Sequence, residues 1–148
     1  MSNHQGIKRF VYISVILLVF GCLNACKKEE AAIIFDVESL TKQCNELTIQ
    51  AIAGDVSPIF EKIKEDYKNG TSLEGFQEYL DTRLRQAEDF EEIIKSEFSQ
   101  AEHPLEKYLI GSVVDLVQYT NGLMRFTYQF NEANELIGFA ITFEVRKF

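Results

Sequence analysis

The sequence predicts an α+β domain on three observations. Apolar residues recur at helical spacing from Val37 to Leu84, aliphatic and aromatic residues crowd the stretch from Tyr108 to Val145, and Thr120-Asn121-Gly122 interrupts that stretch as a hairpin signal. Helices come first and an antiparallel meander follows, the order of an α+β chain rather than of alternating strand and helix. No internal repeat, low-complexity tract or Gly/Ser-rich linker divides the region.

The first helix rests on Val37, Leu40, Cys44, Leu47 and Ala51, which fall at steps of three and four and share one face; Gly54 ends it. Asp55-Val56-Ser57-Pro58 opens a second, with Asp55 or Ser57 as cap and Pro58 in the first turn. Its apolar side is Ile59, Phe60, Ile63 and Tyr67, and Asn69-Gly70 stops it. Thr71-Ser72-Leu73-Glu74 forms a capping box for a third, carrying Leu73, Phe76, Leu80 and Leu84.

Phe90, Ile94 and Phe98 fit both a helix at steps of four and one face of a strand, and the strand is the reading adopted. His103-Pro104 closes that segment, with His103 as an exposed loop residue. Strands follow at Tyr108 to Tyr119, Leu123 to Phe130 and Leu136 to Val145, with Asn121 and Gly122 in a two-residue type I′ turn. Such a turn pairs Thr120 with Leu123 and therefore Asp115 with Tyr128. Val113, Asp115, Val117 and Tyr119 then share the buried face with Met124, Phe126, Tyr128 and Phe130. A loop from Glu132 to Glu135 brings Ile137, Phe139, Ile141, Phe143 and Val145 to that face and sets Phe139 beside Tyr128.

Asp115 is the one acid on this apolar face, where desolvation raises a carboxylate pKa unless a donor satisfies it. Three arrangements accommodate it: a hydrogen bond from Tyr128 or a helix donor, a bulge that turns it outward, or a place in the lining of a ligand pocket. Asp115, Tyr128, Tyr119, Phe126 and Phe139 are accordingly the candidate pocket residues.

Ahead of the domain, Lys8 and Arg9 precede an apolar run from Phe10 to Phe20, followed by Gly21, Asn24 and Ala25. This is the order of a signal peptide. A spanning helix wants about 20 apolar residues, and that alternative requires extending the run to Ala25. Leu23-Asn24-Ala25-Cys26 resembles the lipobox of bacterial lipoproteins, with Val19-Phe20-Gly21-Cys22 a poorer second match. The resemblance implies a signal over residues 1–25, diacylglycerol on the Cys26 thiol and an acylated amino terminus. Several acyl chains hold a protein on a membrane essentially permanently. Lys27-Lys28-Glu29-Glu30 is similar to the surface-export signal of Bacteroidetes lipoproteins and also fits a plain solvated tether. The implied location is the outer membrane, facing the cell surface or the periplasm. Residues 26–35 are then a lipidated tether, and 36–148 the domain.

Removing 25 residues from 148 leaves 123, one domain's worth. The segment removed carries Lys8 and Arg9 and no acid, so the net charge moves from −8 to −10. A body this acidic repels phosphate backbones, which argues against nucleic-acid binding. Only Cys44 and His103 remain as thiol and imidazole, so neither an internal disulfide nor a Cys/His metal site is expected, and no cofactor is implied. Cys44, on the apolar face of the first helix, reads as a small buried hydrophobe. Nothing in the sequence specifies an oligomeric state.

Three helices, then a curved meander containing Phe126-Thr127-Tyr128-Gln129-Phe130-Asn131-Glu132 and Leu136-Ile137-Gly138-Phe139, resemble the nuclear-transport-factor-like, cystatin-like α+β fold. The resemblance spans about Val37 to Val145 and implies helices wrapped on a cone-like antiparallel sheet of three to four strands, whose mouth can hold a small apolar ligand. Enzymes of this fold place carboxylates, tyrosines or histidines in the cone. Here Asp115 with Tyr128 or Tyr119 could play such parts, and no second acid or His–Asp pair accompanies them. The leading expectation is a non-catalytic, lipid-anchored module that binds a small apolar ligand or a protein. The alternatives are a cone-pocket isomerase, dehydratase or hydrolase using Asp115 and Tyr128, and a structural or immunity-type lipoprotein acting through its acidic surface.

Overall fold

The computed structural model describes residues 34–145. The signal segment, Cys26 and most of the tether lie outside the described residues. Helix α1 spans Val37–Ile52 because its apolar face is continuous: Leu40, Cys44, Leu47 and Ala51 are all buried, and Thr48 is buried among them. The Asp36 side chain accepts from the Ser39 amide at 3.1 Å, satisfying one of the unpaired amides at the helix start. Gly54 follows with φ of 95°, a left-handed conformation that glycine takes without steric cost.

Helix α2, Ser57–Lys62, has Pro58 in its first turn as expected, but its N-cap is Val56 rather than Asp55 or Ser57, and Asp55 Oδ1 accepts from the Ser57 amide at 2.9 Å. It is shorter than expected. Instead of continuing to Tyr67, the chain turns extended at Ile63, which bridges Leu136 in parallel, and the Lys64 amide donates to the Leu136 carbonyl at 2.9 Å. The sheet edge thus competes successfully with the next helical turn and covers Ile63 to 7 % exposure. A 3₁₀ turn, Glu65–Tyr67, leads to Asn69 and Gly70, both left-handed. Helix α3, Leu73–Leu84, is capped one residue later than the expected box: Ser72 Oγ accepts from the Gly75 amide at 3.1 Å, and Glu74 sits in the first turn.

Four strands form one antiparallel sheet in the order β1-β2-β3-β4: β1 Phe90–Glu102, β2 Leu109–Tyr119, β3 Gly122–Phe130 and β4 Leu136–Val145. The segment from Phe90 is a strand, but its face differs from the expected one. Register shifts between Phe90 and Glu92 and between Ile93 and Lys95 put Ile93 and Ser96 opposite Val117 and Asp115, leaving Ile94 45 % exposed.

The β2–β3 hairpin also corrects an expectation. Tyr119 pairs with Gly122 across a Thr120-Asn121 loop, so Asp115 lies opposite Phe126, two residues from the expected Tyr128. Neither loop residue has positive φ. Asn121 is used otherwise: its amide donates to the Gln86 carbonyl at 3.0 Å and accepts from the Glu88 amide at 3.0 Å, tying the hairpin to the chain entering β1. Gly122 lies in β3 instead, at a position where a Cβ would overlap the Glu144 carbonyl oxygen. A slip of two residues preserves which side chains face the core, so the expected burial survives the wrong register.

Between β3 and β4, Tyr128 sits opposite Phe139 as expected, and a register shift at Gln129/Phe130 sets Leu136 against Phe130. Asn131 Oδ1 accepts from the amides of Ala133 and Glu135 at 3.1 and 2.9 Å, which closes this turn. The core face carries Val113, Val117, Met124, Phe126, Tyr128, Phe130 and Ile141, each at most 1 % exposed. Helix α1 contacts β1 and β2, and α3 contacts β4. The opposite sheet face is charged, with Lys95 2.6 Å from Glu97 and Arg125 3.6 Å from Glu144. Such exposed pairs contribute about 0–1 kcal/mol each.

Candidate functional site

Helix α1 and strand β2 each bring a polar side chain into the core. Thr48 lies on the buried face of α1 because it follows Cys44 by four residues, and Asp115 lies on the buried face of β2 because strand side chains alternate. Both residues are fully buried. Thr48 Oγ1 donates to Asp115 Oδ2 at 2.6 Å. Its hydrogen is thereby used, so the Tyr128 hydroxyl, 2.8 Å away, donates to Thr48. The two residues proposed from the sequence as acid and donor are thus joined through Thr48.

The other carboxylate oxygen meets β1. Ser96 Oγ lies 2.5 Å from Asp115 Oδ1 and 2.8 Å from Asn45 Oδ1. A hydroxyl has one hydrogen, so two arrangements satisfy the network: Ser96 donates to an ionised Asp115, or a neutral Asp115 donates to Ser96, which then donates to Asn45. Burial pushes the Asp115 carboxyl up, against the opposing pull of hydrogen bonds from Ser96 and Thr48. The Tyr128 hydroxyl is raised by burial as well, with Thr48 opposing and Cys44 and Asp115 adding. Cys44, buried beside the network, is held as a thiol chiefly by desolvation and further by Asp115.

The remaining candidates surround this centre unevenly. Phe126 faces Asp115 across the ladder, and Phe139 packs 5.1 Å from Tyr128 and 6.4 Å from Phe126, ring centre to ring centre. Tyr119 stands apart, with its ring against Phe90 at 6.0 Å and Phe143 at 6.5 Å. Its buried hydroxyl has no hydrogen-bond partner among the described residues, and burial raises its pKa to about 12.

Three participants escaped the sequence reading. Thr48 carried a usable signal, since it falls on the same helical stripe as Cys44 and Ala51. Ser96 carried none, because the bulges decide which β1 residues face inward. Asn45 reaches the network only through Ser96. His103 lies in the β1–β2 loop, where its Nδ1 accepts from the Glu106 amide at 3.1 Å and its ring stacks on Tyr108. Among the described residues, no group of three or more His, Cys, Asp or Glu side chains is placed to hold a metal ion.

Chemically, the centre is a hydroxyl relay running from Tyr128 through Thr48 to Asp115 and on to Ser96, with both carboxyl oxygens occupied by internal partners. Comparison with protein-family models, curated proteins and solved structures returned no match.

Proposed function

We propose that the chain is an envelope lipoprotein anchored to the outer membrane through acyl chains on Cys26, and that its α+β domain is a non-catalytic module binding a small apolar ligand or a protein partner. The observation that carries the non-catalytic reading is the state of Asp115: fully buried, with both oxygens held by hydroxyls of α1 and β1. A general base must reach a substrate proton, directly or through one water. Asp115 would first have to break its contacts to Thr48 or Ser96.

The anchoring half rests on Leu23-Asn24-Ala25-Cys26 and the preceding basic and apolar segments. Among the described residues no helix is long and apolar enough to cross a membrane. Helices against one face of a four-stranded antiparallel sheet agree with a nuclear-transport-factor-like architecture. Lys27-Lys28-Glu29-Glu30 supports display at the cell surface, with periplasmic orientation as the alternative.

Intact mass spectrometry of the protein from its host membranes tests the anchor, comparing wild type with Cys26→Ala. The expected mass is residues 26–148 plus acyl chains, lost in the variant. An unprocessed mass that retains the first 25 residues would overturn it. For the module, turnover abolished by Asp115→Asn at unchanged stability would replace the binding reading with an enzymatic one.

A further inference from the structure

A surface cavity of about 270 Å³ lies where α2, α3 and β4 meet; no relay residue lines it, but its wall residue Phe139 packs on Tyr128. Three half-buried phenyl rings wall it, one from each element: Phe60, Phe76 and Phe139. Phe76 stands between the other two, its ring centre 5.5 Å from that of Phe60 and 5.6 Å from that of Phe139. Ile137, 8 % exposed, also lines the cavity. Lys68 is the one charged side chain among the described lining residues.

The placement of Lys68 narrows the ligand class. Its side chain is only 16 % exposed, and Nζ lies 4.6 Å from the Phe60 ring centre. That ammonium is held 2.8 Å from Glu65, a carboxylate 84 % exposed. An exposed carboxylate partner is readily exchanged, whereas an acid group delivered within the cavity would meet the same ammonium in a drier setting. The rings would hold a flat apolar body, and the volume equals that of about nine water molecules in the liquid, room for one or two fused rings.

We infer that this cavity binds a small organic acid with a flat apolar body, its rings packed against Phe60, Phe76 and Phe139 and its carboxylate displacing Glu65 from Lys68. The inference deepens the binding-module reading and rests on it. Lys68 supplies the selection for an anion in a domain whose net charge otherwise disfavours one.

The probe pair is 2-naphthoate and its neutral analogue 2-naphthamide, titrated into the full chain in lipid nanodiscs, with empty nanodiscs as blank and amide NMR shifts as readout. Naphthoate should shift residues around Phe76 and Phe139 and bind more tightly than the amide. Lys68→Gln should weaken the acid about tenfold or more and leave the amide unchanged. Phe76→Leu should weaken both; the fold of each variant is confirmed by its unperturbed spectrum away from the cavity. Equal affinity for acid and amide, indifference to Lys68→Gln, or shifts confined to other parts of the domain would overturn the inference. Any of those results leaves the acyl-chain mass at Cys26 as it was, so the anchored-module reading fails or stands separately.

Discussion

Thr48 on helix α1 donates to Asp115 at the centre of the sheet, hydroxyl to carboxylate, at 2.6 Å, and so fastens the first described helix to a strand 67 residues further on. The contact is buried at both ends and stands in the middle of a chain of hydroxyls. Partners in such a network are worth more together than singly, because each one lost strands the next.

Thr48→Val keeps the shape of the side chain and removes the link. Both Asp115 Oδ2 and the Tyr128 hydroxyl then lose a partner inside the core, at a cost of about 3 kcal/mol. Tyr128→Phe removes only the terminal donor and should cost about 1 kcal/mol. Urea denaturation of both variants checks the order; equal losses would mean that Thr48 is no hub.

Asp115→Asn tests the charge itself. Burial raises the folded-state pKa of Asp115, so between the ordinary carboxylate value, about 3.9, and the folded value the native state binds more protons than the unfolded state. The contribution of Asp115 is therefore fully present below the ordinary value and is lost as pH rises through the raised one. Wild type should lose stability relative to Asp115→Asn across that window, and the variant should stay within about 1 kcal/mol of wild type or above it at neutral pH. Denaturation midpoints at a series of pH values measure this; a difference that grows in the opposite direction would refute it.

Cys44 is fully buried, and burial together with Asp115 suppresses its thiolate. A thiol reagent should therefore label Cys44 in the native protein only as fast as the domain opens, and rapidly in urea. Labelling kinetics followed by mass spectrometry provide the comparison.

Tyr119 presents the opposite case to Tyr128. Its buried hydroxyl has no partner among the described residues, so Tyr119→Phe removes an uncompensated polar group and should leave thermal stability equal or higher. A fall of several degrees in the melting temperature would show that the hydroxyl is engaged.

Gly122→Ala places a methyl group against the Glu144 carbonyl and the Phe143 ring. The β3–β4 pairing must shift to admit it, so the loss should exceed that of Gly54→Ala, where a left-handed φ is strained but the space is open. Chemical denaturation of the two variants gives the ranking.

The alternation of β2 and β3 was enough to place Val113, Asp115, Val117 and Tyr119 on one face with Met124, Phe126, Tyr128 and Phe130. Strand side chains have a period of two, so burial is legible even when pairing is not. The helical stripe of Leu40, Cys44, Leu47 and Ala51 was legible for the same kind of reason, a local period set by backbone geometry. Asp115 stood out as a carboxylate among apolar neighbours, which is a local signal too.

What satisfies Asp115 was decided by contacts between residues far apart in the chain. Thr48 approaches across 67 positions, and Ser96 faces inward because bulges in β1 turn it so. The end of α2 at Lys62 depends on an acceptor at Leu136, and the hairpin loop is held by Asn121 bonding to Gln86 and Glu88, 35 and 33 positions earlier. Local periodicity and turn chemistry are properties of short segments, and the sequence determined them: the α+β order, the buried faces and the identity of the buried acid. Which segment ends, bulges or hydrogen bonds against which other is a competition between distant partners for the same space and the same donors, and only the tertiary structure resolved it.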